Sequence, residues 1–141
     1  MADTKKPLIY LIYSDLVGAV NGIGKKTYLD RPKSDYEKLQ NFIVVDIPTA
    51  ISGSIAGSFE TMANSYGTYH VFCKSKDDAT LNIGAQSELV QKILDKFPIN
   101  GTYCSATKPT VLMQGEDGYG YHVTTITFKL RTKYNARNIQ Q

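Results

Sequence analysis

Few side chains in this chain are of the types that do chemistry. Its two histidines, His70 and His122, lie on different predicted strands, and its two cysteines, Cys73 and Cys104, lie 31 positions apart. There is no CxxC and no closely spaced His pair, which excludes the usual zinc spacings. Asp77-Asp78 and Glu116-Asp117 are paired acids, but they lack the alternating ligand spacing of a calcium loop and read as turn residues. Cys73 and His122 are the one combination with the arithmetic of a nucleophile and its base, provided that a sheet brings their strands together. A strand histidine more often packs than ligates, and nothing in the local sequence marks either residue as activated. Catalytic, cofactor-binding and metal-binding residues are therefore expected to be none.

Two glycine-rich segments bear on phosphate and nucleic-acid binding. Gly18, Gly22 and Gly24 precede Lys25-Lys26, but a phosphate loop follows a strand and opens a helix, whereas these glycines follow a helix. Gly118-Tyr119-Gly120-Tyr121 has the glycine–aromatic alternation of RNA-binding strands. With Lys129, Arg131 and Lys133 further on, it permits an alternative function, a small nucleic-acid-binding α+β module using Tyr119, Tyr121 and that basic face. The bland reading is a hairpin turn leading into a Tyr-rich strand. A third alternative is a small enzyme using Cys73 or His122.

The elements that must position these residues follow from periodicity. Leu8, Ile12, Leu16 and Val20 recur every four residues, predicting a helix over about 7–20 that ends near Asn21-Gly22. Residues 24–41 read as a long polar connection with a turn at Asp30-Arg31-Pro32. Phe42–Ile47 is a β-branched run closed by Pro48, a strand buried on both faces. Ser52–Ser58 is small and flexible in composition. Tyr69, Val71 and Cys73 alternate with His70, Phe72 and Lys74, predicting a strand over about 66–75. Leu89, Val90, Ile93, Leu94 and Phe97 predict a second helix over about 83–97, with Asn82 as N-cap and Pro98 as the stop. A strand over 103–114 is interrupted at Lys108-Pro109, an edge or bulge position. It turns at 115–118 into a last strand, 119–133, in which Ile126, Phe128 and Leu130 face one way. Thr125, Thr127, Lys129, Arg131 and Lys133 face the other. Residues 1–6 and 135–141 read as fraying tails.

These elements make one α+β domain over residues 1–141 in the order α-β-β-α-β-β. The expected architecture is a mostly antiparallel sheet with both helices packed on one face. A chain of 141 residues with 42% apolar content has a real core to bury. The net charge of +3 and pI near 8.8 are too mild for a strong nucleic-acid binder. Ten tyrosines and no tryptophan suit a sheet, and equally a protein interface. The apolar run Leu8–Tyr13 is broken by Ser14-Asp15, too short for a secretory signal core, and nothing has the length of a membrane span. Synthesis in a reducing cytoplasm is expected, with Cys73 and Cys104 as buried thiols; a disulfide between them stays open, because sequence does not give their distance.

In this order of elements the chain resembles tail-completion or tail-terminator proteins of tailed bacteriophages, which join head to tail. The resemblance rests on the N-terminal helix followed by Asp30-Arg31-Pro32 and the strand Asn41-Phe42-Ile43-Val44-Val45 ending at a proline. It rests further on the helix closing with Phe97-Pro98 and the hairpin in which Gly118-Tyr119-Gly120-Tyr121-His122 opens the last strand. It spans about residues 8–130. The resemblance implies a non-enzymatic virion protein of the neck or tail, without a cofactor, forming a homo-oligomeric ring of about six or twelve copies. Implied partners are portal or connector and tail proteins, with DNA passing through the lumen without specific binding and no membrane. Candidate interface residues are Arg31, Ser54, Ile55, Lys129, Arg131 and Lys133.

Overall fold

The computed structural model describes residues 8–24, 27–28, 40–47 and 66–132. Among them are helices α1 (Leu8–Ala19) and α2 (Ile83–Leu94). The strands are β1 (Thr27–Tyr28), β2 (Asn41–Asp46), β3 (Tyr66–Lys74), β4 (Ile99–Asn100), β5 (Cys104–Glu116) and β6 (Tyr121–Thr132). They form one six-stranded sheet in the order β1-β2-β3-β6-β5-β4. Only the two-residue β1 is parallel to its neighbour, pairing Thr27 with Ile43 and Tyr28 with Val44; every other pair is antiparallel.

The α+β class and the order of the long elements agree with the sequence. β1 and β4 are additions, and each is only two residues long, below the length at which alternation can be read. β1 lies inside the stretch expected to be a polar connection. The remainder of that connection, the segment 52–58, Pro7 and the two tails lie outside the described residues.

Both helices pack on one face of the sheet. Ile12, Leu16 and Val20 from the first helical segment and Leu89, Val90 and Ile93 from α2 join Ile43, Val45, Tyr69, Val71, Ile126, Phe128 and Leu130 in a single buried cluster. Two tyrosine hydroxyls tie α1 to the sheet. Tyr69 donates to the Leu16 carbonyl at 2.6 Å, and Tyr13 accepts from the Ile47 amide at 3.2 Å. The turn that follows α1 contains the predicted stop: Gly22 adopts φ +87°, a left-handed geometry that costs glycine little.

The opposite face carries a second cluster of Phe42, Val44, Phe72, Tyr121 and Val123. Phe42 and Phe72, register partners on β2 and β3, stack with centroids 4.5 Å apart and planes 8° from parallel. Tyr121 meets Phe42 edge-on at 5.3 Å. This explains why β2 reads as apolar on both sides: Phe42, Ile43, Val44 and Val45 are all buried.

At the end of α2, the helix stops at Leu94 and a turn carries the chain to a cis Phe97-Pro98 bond, so the last turn of the predicted helix is not helical. Phe97 still packs, its ring 5.5 Å from Phe128. Asn82 caps α2 as expected, its side chain accepting from the Ala85 amide.

The β5–β6 hairpin is the largest structure in the sheet. β5 has the predicted irregularity at Lys108-Pro109, where the register shifts between Thr107 and Thr110 and Lys108 takes φ 54°. The turn differs from expectation. β5 continues through Gly115 to Glu116, and the connection is Asp117–Gly120, so β6 opens at Tyr121 and not at Tyr119. The cause is local chemistry: Asp117 Oδ1 accepts from the Tyr119 and Tyr121 amides, and Glu116 Oε1 accepts from the Gly120 amide. Side-chain acceptors satisfy the turn amides and hold Tyr119 in the loop.

Candidate functional site

Three places bring polar or exposed residues together. The first lies at the end of the sheet where β3 leaves and β6 begins. Register sets Cys73 directly opposite His122, and Glu116 of β5 opposite His122 on its other side. The sheet thus makes the Cys73–His122 juxtaposition that sequence arithmetic allowed. Its chemistry is nonetheless passive. His122 Nδ1 lies 2.7 Å from Ser75 Oγ, so that nitrogen is taken by a neighbour rather than by the thiol. Burial pushes the Cys73 thiol upward, the opposite of the lowered value that makes a thiolate nucleophile. Gln86 of α2 closes this region from above, its amide nitrogen donating to the His122 carbonyl at 3.2 Å and to Thr124 Oγ1 at 2.6 Å. Nothing in the sequence flagged Gln86, which shares the buried face of α2 with Leu89, Val90 and Ile93.

Cys104 is remote from this corner. It pairs with Thr132 at the far end of β6, whereas Cys73 pairs with His122. Ten residues of strand, about 33 Å at about 3.3 Å each, separate those positions. Both cysteines are buried and neither is in a disulfide, and the open question of a bond between them is answered by that separation.

The second place is a polar chain across the face away from the helices. It runs from Asp46 on β2 through His70 on β3 and Thr125 on β6 to Gln114 on β5. His70 Nδ1 lies 3.0 Å from Thr125 Oγ1, and Thr125 in turn donates to Gln114 Oε1. The hydroxyl proton is directed to Gln114, and on the other side of the ring Nε2 faces Thr68, whose hydroxyl donates to the Asp46 carbonyl, and the Asp46 carboxylate. There Thr68 Oγ1 stands 3.3 Å away and Asp46 Oδ2 4.0 Å away. Burial lowers the His70 pKa, and Asp46 opposes that in part. The carboxylate–histidine–hydroxyl sequence has the order of a hydrolytic triad, but the threonine hydroxyl donates away from the imidazole. Thr125, expected on an outward polar face, is 94% buried because this network and the second cluster enclose it.

The third place is the half of β5 whose outer edge no strand covers among the described residues. β4 covers the outer edge of β5 only at Ser105 and Ala106. From Thr110 to Glu116 seven successive residues are exposed. They include Val111, Leu112 and Met113, with Leu112 58% exposed.

No protein-family model matches the chain, and no curated protein matches it.

Among the candidate interface residues, Lys129 and Arg131 fall within the described residues, both on the face of β6 that also carries Thr125 and Thr127. Arg131 is exposed and Lys129 half-buried. Arg31, Ser54, Ile55 and Lys133 lie outside the described residues. The tyrosines of the nucleic-acid alternative divide: Tyr119 is 60% exposed in the turn, but Tyr121 is 1% exposed against Phe42. A buried ring cannot stack on a base, so Tyr121 is withdrawn from that set. The remaining acids behave as the sequence suggested. Asp78 Oδ1 accepts from the amide and hydroxyl of Thr80, which hold its carboxyl below the ordinary range, and Glu116 and Asp117 serve the hairpin turn. Among the described residues no group of three or more His, Cys, Asp or Glu side chains is placed to hold a metal, and no helix is long and apolar enough to cross a membrane.

Proposed function

We propose that this chain is a structural virion protein of a tailed bacteriophage, a ring-forming tail-completion or tail-terminator subunit that joins head or connector to tail. The observation that carries the reading is the outer half of β5, where Val111, Leu112 and Met113 stand exposed on a strand edge that no other strand covers among the described residues. Exposed apolar strand edges are expensive to leave open, because they template pairing with other chains. A protein that keeps one is built to be covered. The order of elements supports the same reading, through its resemblance to the neck proteins. So does the state of the polar residues: the hydroxyls, imidazoles and acids described above are engaged with one another or with turn amides.

In such a ring each subunit presents two different patches to its neighbours. Lys129 and Arg131 contribute to one, with Arg31, Ser54, Ile55 and Lys133 as the further candidates. The test is light scattering behind size-exclusion chromatography, followed by electron microscopy of the purified chain, alone and mixed with connector and tail. Closed rings in either sample are the expected result. A concentration-independent monomer in both overturns the reading.

A further inference from the structure

We infer that the edge of β5 left uncovered among the described residues is a two-fold contact, in which a second copy of this chain pairs antiparallel with it about Leu112. The inference rests on the self-assembling part of the function proposed above and names the partner and register of one contact.

The pattern of residues along the edge decides both. Lys108 and Glu116 are exposed and stand at equal distances in sequence on either side of Leu112. Antiparallel pairing about Leu112 sets Thr110 against Gln114, Val111 against Met113 and Leu112 against itself. It also brings the Lys108 end of each strand to the Glu116 end of the other, at both ends of the seam. Opposite charges facing across strands stabilise a pair, and like charges oppose it. A parallel, in-register pairing would place Lys108 on Lys108 and Glu116 on Glu116. The edge is therefore complementary to itself in one direction only.

The local backbone sets the limits of the seam. Pro109 has no amide to give a ladder, and the register shifts once across it, between Thr107 and Thr110. A second shift lies between Met113 and Gly115, where Gly115 takes φ +89°. Between these irregularities the strand is regular from Thr110 to Met113, and it carries Val111, Leu112 and Met113, respectively 41%, 58% and 50% exposed. Because successive residues alternate faces, Leu112 gains cover on one side of the sheet and Val111 and Met113 on the other. The joint continues both sheets into one. A ring alone uses unlike patches, so this contact pairs subunits and does not close the ring; a ring carrying it becomes two rings face to face.

Leu112→Cys tests the register directly, since the natural cysteines are buried and only a residue on the axis meets its own copy. Mild oxidation is expected to give a 112–112 disulfide dimer, while Tyr119→Cys in the exposed turn gives none. Lys108→Glu is expected to weaken association about tenfold by placing like charges at both ends. Adding Glu116→Lys is expected to restore it. An associating Leu112→Cys protein that does not cross-link, or a chain that is monomeric at every concentration, overturns the two-fold contact. Rings without the cross-link would remove this inference and leave the proposed function standing. Cross-linked dimers that never form rings, even with connector and tail, would do the reverse.

Discussion

His70 shows what a single residue gains and loses by its place in the sheet. Its imidazole bridges β3 to Thr125 on β6, with Thr68 and Asp46 on its other nitrogen. Burial favours the neutral ring, so the folded protein holds its pKa below the ordinary value of about 6.5. The sign of the pH dependence follows. Above about pH 6.5 the ring is neutral in both the folded and unfolded chain, and the network contributes in full. As pH falls below that and through the lowered native value, the unfolded chain takes up a proton that the folded protein resists, and stability is lost. Urea unfolding at neutral and mildly acidic pH is expected to show this loss. His70→Gln, which keeps a polar partner for Thr125 but does not titrate there, is expected to show a smaller one; equal losses in the two proteins would refute the assignment.

At the scale of elements, one carboxylate joins the first helix to the closing hairpin. Asp15, on α1, accepts from the Tyr103 amide at 2.6 Å and the Cys104 amide at 3.1 Å through the same oxygen, Oδ2. These amides belong to the residue before β5 and to its first residue, so the contact fixes where the hairpin starts relative to the helix layer. The close approach needs a glycine beside it. A Cβ at Gly101 would stand 2.6 Å from the Asp15 carboxyl carbon. Charge-assisted hydrogen bonds contribute more than neutral ones, and stranding two half-buried amides adds to the cost. Asp15→Ala is expected to destabilise the fold by about 2–4 kcal/mol in chemical denaturation. Gly101→Ala is expected to act in the same direction by pushing the carboxylate off its amides. Had Asp15 been an ordinary surface acid, the loss would stay within about 0.5 kcal/mol.

For the whole molecule, the decisive contrast is between β6 and β5. Most of β6 is buried, with both helices on one side and the second cluster on the other. Its partner β5 is exposed along the half whose outer edge no strand covers among the described residues. A molecule built this way has folding coupled to assembly, because anything that binds the folded chain and not the unfolded one raises its apparent stability by mass action. The melting temperature is expected to rise with protein concentration across the range in which light scattering shows association. Leu112→Lys should abolish that rise while leaving the dilute-limit melting temperature unchanged, since Leu112 supports no internal contact of the core cluster. A flat concentration dependence in the unmodified chain would count against assembly through this edge.

The sequence by itself determined what depends on neighbours within a few residues. The repeat of apolar residues over 8–20 and 83–94 is the face of each helix, and Asn82 is its own evidence for a cap. Alternation in β3 and β6 correctly separated Tyr69, Val71 and Cys73, and Ile126, Phe128 and Leu130, as core. Lys108-Pro109 announced its bulge through chemistry that a regular strand cannot accommodate. Where a polar side chain could satisfy the backbone locally, sequence was less certain, and the hairpin turn moved to Asp117–Gly120 for that reason. What only the tertiary structure decided is which strand lies beside which. Alternation gives a residue's face but not its neighbour, so Thr125 and Tyr121 read as outward residues until β2 and β3 supplied the partners that bury them. The same long-range pairing set Cys73 against His122 with no activation, bound Asp15 to the entry of β5, and left the outer edge of one half of β5 without a strand among the described residues. Register and edges are properties of a closed set of strand pairs, and no local stretch of sequence contains them.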